Sequence, residues 1–354
     1  MKIVIVSDAC DPPTNGVSRT LGTLKACLER LGHQVTIVSP PEFLTVPCPT
    51  YPEIRLAVLA RRRLRRQLEE FRPDVIHVAT EGPLGWAARG WCLRRGLPFT
   101  TMFTTKFPEA IELRFGLPTA WTYALLRHFH APSSAVMVAT ASLRDELWER
   151  GFRNLAPWTR GVDTELFRPR PKDFLDLPRP IFLYVGRIAV EKSIEDFLRL
   201  DLPGTKLVVG DGPHLPKLRR EFPDATFVGS KRGEDLARYY AASDVFVFPS
   251  RTETFGLVVL EALASGLPVA AYPVTGPVDI VGSAPVGALD EDLGRAARQA
   301  LALSPDLCRA HALRFSWENC AQQFLRFVQP VSWRAEPAAG RLRALTAWWR
   351  SGQA

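Results

Sequence analysis

Between residues 168 and 180 the chain reads Arg-Pro-Arg-Pro-Lys-Asp-Phe-Leu-Asp-Leu-Pro-Arg-Pro, and no other stretch limits its fold as strictly. Each of the four prolines fixes φ and lacks a backbone donor, so neither a helix nor a strand interior runs through it. The segment reads as a linker, and the same alternation appears on both sides of it. Ahead of it, apolar runs at 2–7, 34–39, 75–78, 99–102 and 135–139 are separated by helical periodicities, among them 17–31, 84–94 and 119–129. Beyond it, runs at 181–185, 206–209, 226–228, 244–248 and 268–271 interleave with helices at 194–200, 234–241 and 256–264. Short runs that are apolar at nearly every position suit strands covered on both faces, and their alternation with helices builds parallel sheets. With 354 residues the chain exceeds one ordinary core. It suits two doubly wound α/β domains of roughly 150 to 180 residues facing across a cleft. The expected division is 1–167, linker 168–180, 181–315, a last helix at 316–330 and a tail at 331–354.

In such sheets ligands gather at the carboxyl ends of the strands. The richest strand end here is Pro249 to Glu261, which joins the run at 244–248 to the helix at 256–264. The first helix amides, near Phe255, Gly256 and Leu257, have no acceptor inside the helix and sit at its positive end, and Gly256 lets an anion approach the backbone. Glu253 in the loop and Glu261 in the second helical turn flank that anion. Carboxylates placed there suit sugar and ribose hydroxyls, although a loop and a helix carboxylate are also ordinary solvated charges. The strand end at Gly186-Arg187-Ile188-Ala189-Val190-Glu191-Lys192 adds two cations, Arg187 and Lys192. A third strand end, Gly210-Asp211-Gly212-Pro213, is a turn with room for close backbone approach. The loop 11–16 has one glycine where a dinucleotide fingerprint needs three, which disfavours a nicotinamide enzyme. Asp290-Glu291-Asp292 has the spacing of a metal motif but precedes a helical run, as acidic residues at a helix start do. No metal is expected.

Hydrophobic content of 46% and charged content of 23% fit a globular protein, and the formal charge of +8 suits an anionic partner: a phosphate-bearing substrate, a lipid surface or nucleic acid. Six scattered cysteines contain no C-x-x-C pair and imply neither a zinc site nor a disulfide framework. The chain opens directly on a strand, and no apolar run approaches the ~20 residues of a membrane span. The expected location is cytoplasmic, or the cytoplasmic face of a membrane. In Arg61 to Phe71, Leu64, Leu68 and Phe71 share one helical face, with arginines on the others. That stripe is either a solvated face or a contact with acidic lipid headgroups. The tail holds Arg341-Leu342-Arg343-Ala344-Leu345-Thr346-Ala347-Trp348-Trp349-Arg350, which either packs on the first domain or lies in a membrane interface.

Taken together, Asn15-Gly16-Val17, Gly161-Val162-Asp163, Gly186-Arg187 with Glu191-Lys192, Gly210-Asp211-Gly212-Pro213 and the Glu253/Glu261 pair around Phe255-Gly256 resemble the retaining glycosyltransferases of family 4, with the GT-B fold. Thr80-Glu81-Gly82-Pro83-Leu84-Gly85 and Phe107-Pro108-Glu109 resemble the branch of sulfoquinovosyl- and glucuronosyl-diacylglycerol synthases and mannose-transferring relatives. The resemblance implies a nucleotide-sugar donor on the second domain and a lipid or sugar acceptor over the first, with no cofactor or metal and no nucleic acid. It gives Arg187 and Lys192 the diphosphate, Glu253 the donor sugar, Glu261 the ribose, and Gly16 a place beside the diphosphate from across the cleft. The family's last helices return to the first domain, which makes a crossing one fate of residues 316–330. One departure stands out: Thr104 occupies the position of a customary histidine near the reacting centre. The expected function is hexosyl transfer to a membrane lipid, the alternatives being a soluble or polymer-linked sugar acceptor and a catalytically silent nucleotide-sugar-binding protein.

Overall fold

The structure, a computed structural model, describes residues 1–9, 16–48 and 51–333. Most of the loop 11–16 and the tail segment 341–350 therefore lie outside the described residues.

The first sheet is parallel throughout, in the order β2-β1-β5-β6-β7-β8. Its strands are β1 (Lys2–Val6), β2 (Gln34–Val38), β5 (Val75–Val78), β6 (Thr100–Phe103), β7 (Val136–Val138) and β8 (Leu155–Pro157). Helices α1 (Gly16–Arg30), α2 (Arg61–Phe71), α3 (Pro83–Arg95), α4 (Phe107–Phe115), α5 (Thr119–His130) and α6 (Ala141–Glu149) accompany it. Every residue of β5, β6 and β7 is buried, as strands covered on both faces must be. The chain moves from β1 outward to β2 and then returns to β5 on the other side of β1, so the order reverses there.

The second sheet repeats the plan in the order β11-β10-β9-β12-β13-β14. Its strands are β9 (Ile181–Val185), β10 (Thr205–Val209), β11 (Thr226–Phe227), β12 (Val245–Phe248), β13 (Val269–Ala271) and β14 (Gly287–Leu289). With it go α7 (Ile194–Leu198), α8 (Leu215–Glu221), α9 (Gly233–Ala242), α10 (Leu257–Ala264), α11 (Pro277–Val281), α12 (Leu293–Ala300) and α13 (Pro305–Ala312). The order reverses between β9 and β12, so the loops after these two strands line the crevice where ligands bind in this topology.

Two features differ from the sequence expectation. An antiparallel hairpin, β3 (Leu44–Cys48) with β4 (Tyr51–Val58), precedes α2. Pro47, Pro49 and Pro52 break its strand signature, and such strands survive only at an edge. The chain also changes domain before the proline-rich run, because Val162 and Phe167 are already buried in the second core. Residues 168–180 are fastened along the second domain instead, where Arg170 pairs with Glu234, and Lys172 and Arg179 both pair with Asp244. Prolines end regular structure, but they do not say which core flanks them. The acidic run 290–292 serves a helix start, as its sequence suggested: Asp292 caps α12 by accepting from the Arg295 amide at 3.0 Å, and Asp290 grips the Arg295 guanidinium.

The last described helix, α14 (Trp317–Phe327), packs on α1. Its Cys320, Ala321 and Phe324 join Trp158 in the first domain's core, where the Trp158 indole donates to the Cys320 carbonyl at 3.0 Å. Trp158 is fully buried, and removing such a ring costs about 3 to 5 kcal/mol.

Candidate active site

The second domain's wall of the cleft is built from the ends of β9 and β12. After β9 come Gly186 and Arg187, then a short 3-10 turn, Val190–Lys192. The neighbouring turn at Gly210–Pro213 packs tightly beneath them. The Ile188 amide donates to the Asp211 carbonyl at 2.9 Å, and a Cβ on Gly212 would stand 2.3 Å from the Ile188 carbonyl oxygen. These glycines thus serve backbone against backbone, and the neighbour that approaches is the Arg187 loop.

After β12 the chain turns through Thr254 and Phe255 into α10. Gly256 holds φ +90, a left-handed conformation that a side chain would strain. Glu253 folds back on this turn: its carboxylate accepts the Thr254 amide at 2.9 Å and the Lys192 ammonium at 2.9 Å. Burial pushes the Glu253 carboxyl up, but Lys192 and the amides of Thr254 and Phe255 outweigh it and leave the group below the ordinary glutamate range. The Phe255 amide is therefore turned to Glu253, not left open to an anion. One helical turn on, Glu261 is 3% exposed, and Tyr240 donates to one of its oxygens at 3.0 Å.

The first domain supplies the opposite wall. Gly16, the first residue of α1, faces α10, since a Cβ there would lie 3.8 Å from Leu257 Cδ1. The amino ends of α1 and α10 thus meet across the cleft, two positive helix ends aimed at one space. Arg19, three residues along α1, reaches over to the other oxygen of Glu261. That carboxylate holds the guanidinium above the ordinary arginine range. Thr104, at the end of β6, accepts from the Thr254 hydroxyl through its carbonyl at 2.7 Å, so the departed histidine position adjoins the Glu253 loop. Farther along, Asp279 in α11 accepts from the amide of Ser142 at 2.9 Å and from its hydroxyl.

Asp8, just past β1, completes the first wall. Its carboxylate accepts the Thr80 hydroxyl at 2.8 Å and the amides of Leu84 and Gly85 at 2.9 and 3.2 Å, capping α3. Burial holds the carboxyl above the ordinary aspartate range despite these donors. The Thr80–Gly85 motif is therefore a frame around a buried carboxylate. Glu81 beside it accepts from His130, which is wedged between Glu81 and Thr101.

The structure brings Gly16, Arg187, Lys192, Glu253, Phe255, Gly256, Leu257 and Glu261 to one cleft. Sequence reasoning missed Asp8, Arg19, Tyr240 and Thr254. Asp8 and Arg19 had positional signals, at the end of a strand and one turn past Gly16; Tyr240 had none. Chemically, the site offers Lys192, Arg19 and two helix ends for an anionic centre, beside the carboxylates of Glu253 and Glu261.

Residues 14–166 match the family described as Glycosyltransferase Family 4, and residues 179–304 match Glycosyl transferases group 1. The GDP-mannose-dependent alpha-mannosyltransferase of Mycobacterium tuberculosis is 31% identical over 79% of this chain and 81% of its own length. The sulfoquinovosyl transferase SQD2 of Arabidopsis thaliana is 31% identical over 72% of this chain and 56% of its own. The alpha-monoglucosyldiacylglycerol synthase of Streptococcus pneumoniae is 27% identical over 92% and 83%. Among solved structures, sucrose-phosphate synthase from Thermosynechococcus elongatus superposes with a TM-score of 0.72 at 22% identity, covering 98% of this chain and 99% of that one. The Anabaena protein HepE, solved with UDP and glucose, gives 0.70 at 16% identity, covering 92% and 98%. These likenesses establish the GT-B fold.

Proposed function

The chain belongs to glycosyltransferase family 4, and from that premise we propose that it moves a hexose, with retention, from a nucleotide-diphosphate sugar to a diacylglycerol-like membrane lipid. The observation that carries the donor half is the meeting of the amino ends of α1 and α10 between the Lys192–Glu253 pair and the Arg19–Glu261 pair, with Arg187 on the adjoining loop after β9. A departing diphosphate leaves negative charge at that point as the sugar becomes oxocarbenium-like, and preorganised positive groups stabilise it most. In the proposed reaction the bond from the anomeric carbon to the diphosphate breaks. The acceptor hydroxyl bonds to that carbon on the same face and passes its proton to the leaving phosphate. No side chain is assigned as a covalent nucleophile, and the scheme needs no metal. Glu253 would hold the sugar hydroxyls and Glu261 the ribose. Lys192 would then exchange its bond to Glu253 for one shared with the diphosphate.

The lipid half draws support from the monoglucosyldiacylglycerol synthase relative and from the exposed arginines of α2. No helix among the described residues is long and apolar enough to cross a membrane. To reach a lipid acceptor, the proposed enzyme would sit peripherally on the cytoplasmic face of a membrane. A second reading, mannosyl transfer from GDP-mannose to a soluble or polymer-linked sugar, draws support from the mannosyltransferase relatives. The test is a thermal-shift screen against UDP-, GDP- and ADP-sugars, followed by product analysis with and without vesicles carrying diacylglycerol. A donor that stabilises the fold names the nucleotide through binding linkage. Lipid-dependent product supports the first reading, and product on a sugar acceptor alone supports the second. Binding without turnover on either acceptor class would leave a silent nucleotide-sugar-binding protein, with Thr104 the first residue to suspect.

A further inference from the structure

Helices α4 and α5 form an antiparallel hairpin that turns at Gly116. Tyr123, Leu126 and Phe129 of α5 face inward, as an amphipathic helix requires. The outward side breaks the pattern. Trp121 is 72% exposed, Leu125 lies one turn further along the same exposed side, and Phe115 and Leu117 stand out at the bend. Residues 115–126 carry no charged side chain at all. An apolar cluster of this kind on a surface signals an interaction site.

Its place in the fold identifies the occupant. His130 anchors the far end of α5 against Thr101 of β6, so at 1.5 Å per residue Trp121 stands about 13 Å up the helix axis. Because α5 runs antiparallel to the strand that follows it, this tip rises beyond the carboxyl edge of the sheet, the edge that lines the cleft. The hairpin begins at that wall, only a few residues after Thr104 meets Thr254. The amino end of α2 lies at the same edge, where Leu59 is 88% exposed and Arg61, Arg62 and Arg63 are exposed without a carboxylate partner among the described residues. The later arginines of that helix, Arg65 and Arg66, are instead paired with Glu69 and Glu70. Glu112 is the acidic group near the bend, and it accepts from the Thr119 amide. An apolar tip and arginines without carboxylate partners at the same edge of the sheet complement a lipid interface, where aromatic rings sit at headgroup depth and arginines meet anionic headgroups; Arg63 lies over the Phe43 ring.

We propose that the α4–α5 tip inserts into the interfacial layer of an anionic bilayer, with Arg61, Arg62 and Arg63 on its headgroups, and so holds the mouth of the cleft against the membrane. This deepens the lipid-acceptor reading and rests on it. The described chain closes near Trp333, whose indole donates to Pro73 at the amino edge of the sheet, opposite this tip.

The experiment compares the full-length protein with Trp121→Ala/Leu125→Ala in sedimentation with phosphatidylcholine vesicles, with and without phosphatidylglycerol. Both residues are exposed and neither touches the donor site, so the melting temperature and the nucleotide-induced shift are expected to stay at parental values. Vesicle partitioning should fall by about tenfold or more. The triple change Arg61→Ala/Arg62→Ala/Arg63→Ala should remove the phosphatidylglycerol dependence while leaving weaker binding to neutral vesicles. Parental partitioning of the Trp121/Leu125 variant overturns the proposal. So does a change in oligomeric state on removing Trp121 with vesicle binding unaltered, which would make the tip a contact between copies of this chain. The two readings fail separately. Lost partitioning together with turnover confined to a soluble sugar upholds the surface and sinks the lipid acceptor. Lipid turnover with unaltered partitioning does the reverse.

Discussion

Removing Arg19 isolates the charge of Glu261, and the cost can be worked from the geometry. The pair spans the cleft, with the Arg19 side chain 40% exposed and that of Glu261 3% exposed. Exposed pairs contribute about 0 to 1 kcal/mol, whereas breaking a buried pair costs about 3 to 5 kcal/mol, so this half-buried one should lie near 2 kcal/mol. On the proposed donor site the loss falls on nucleotide binding, because an uncompensated carboxylate would then face the incoming diphosphate, and the α1 wall is no longer fastened to the α10 wall. At 1.4 kcal/mol per tenfold, Arg19→Ala should weaken UDP or GDP binding about thirtyfold, measured by titration calorimetry with whichever nucleotide the protein takes. The control is the double-mutant cycle with Glu261→Gln. A neutral amide leaves nothing to compensate, so in that background Arg19→Ala should cost about threefold or less. Equal losses in both backgrounds would show that Arg19 acts only as structure. Tighter binding by Arg19→Ala would show that it obstructs the nucleoside, and either result refutes the reasoning.

Other outcomes follow from the same geometry. Glu253→Gln and Lys192→Ala should each lower turnover by about tenfold or more, and near-normal rates in both would remove them from the site. Because Glu253 titrates below its usual range when folded, its pairing with Lys192 contributes stability above the unfolded value and loses it as pH falls through the folded one. The melting temperature of the parent should therefore exceed that of Glu253→Gln at neutral pH, and the gap should close below pH 4.5; a gap that persists in acid contradicts the pairing. Asp8→Ala leaves the Leu84 and Gly85 amides without their acceptor and should destabilise by about 1 to 3 kcal/mol in urea titration. Gly212→Ala presses a methyl onto the Ile188 carbonyl and should lower both stability and donor affinity, the second because the Arg187 loop must shift; an unchanged nucleotide affinity would separate that turn from the site.

Much of the fold was readable because parallel strands are apolar on both faces, and Ile181–Val185 shows this at every position. The placement of Pro249 to Glu261 between a strand and a helix of the second sheet was readable for a related reason, since it is one continuous stretch. Contacts formed only by tertiary closure were not. Arg19 and Glu261 are 242 residues apart, Thr104 and Thr254 are 150 apart, and neither pairing leaves a periodicity or a motif. The basic stripe of α2 was visible as composition, yet composition cannot show that Arg65 and Arg66 are neutralised along the helix while Arg61, Arg62 and Arg63 are not. Likewise, the prolines of residues 168–180 announced the end of regular structure but not the salt bridges that strap them to the second domain.

The return of α14 to the first domain has a mechanical consequence. The polypeptide passes between the domains twice, near Arg160 to Val162 and near Phe315 to Trp317, and the two passages touch. The Val162 amide donates to the Phe315 carbonyl at 3.1 Å, and a Cβ on Gly161 would meet the Trp317 nitrogen at 2.4 Å. Two covalent crossings laid side by side act as the pin of a hinge. A pin of this kind resists the twist that would carry Gly16 out of line with Leu257. Any parting of the walls should therefore be followed by closure in the same register, with Gly16 again facing Leu257.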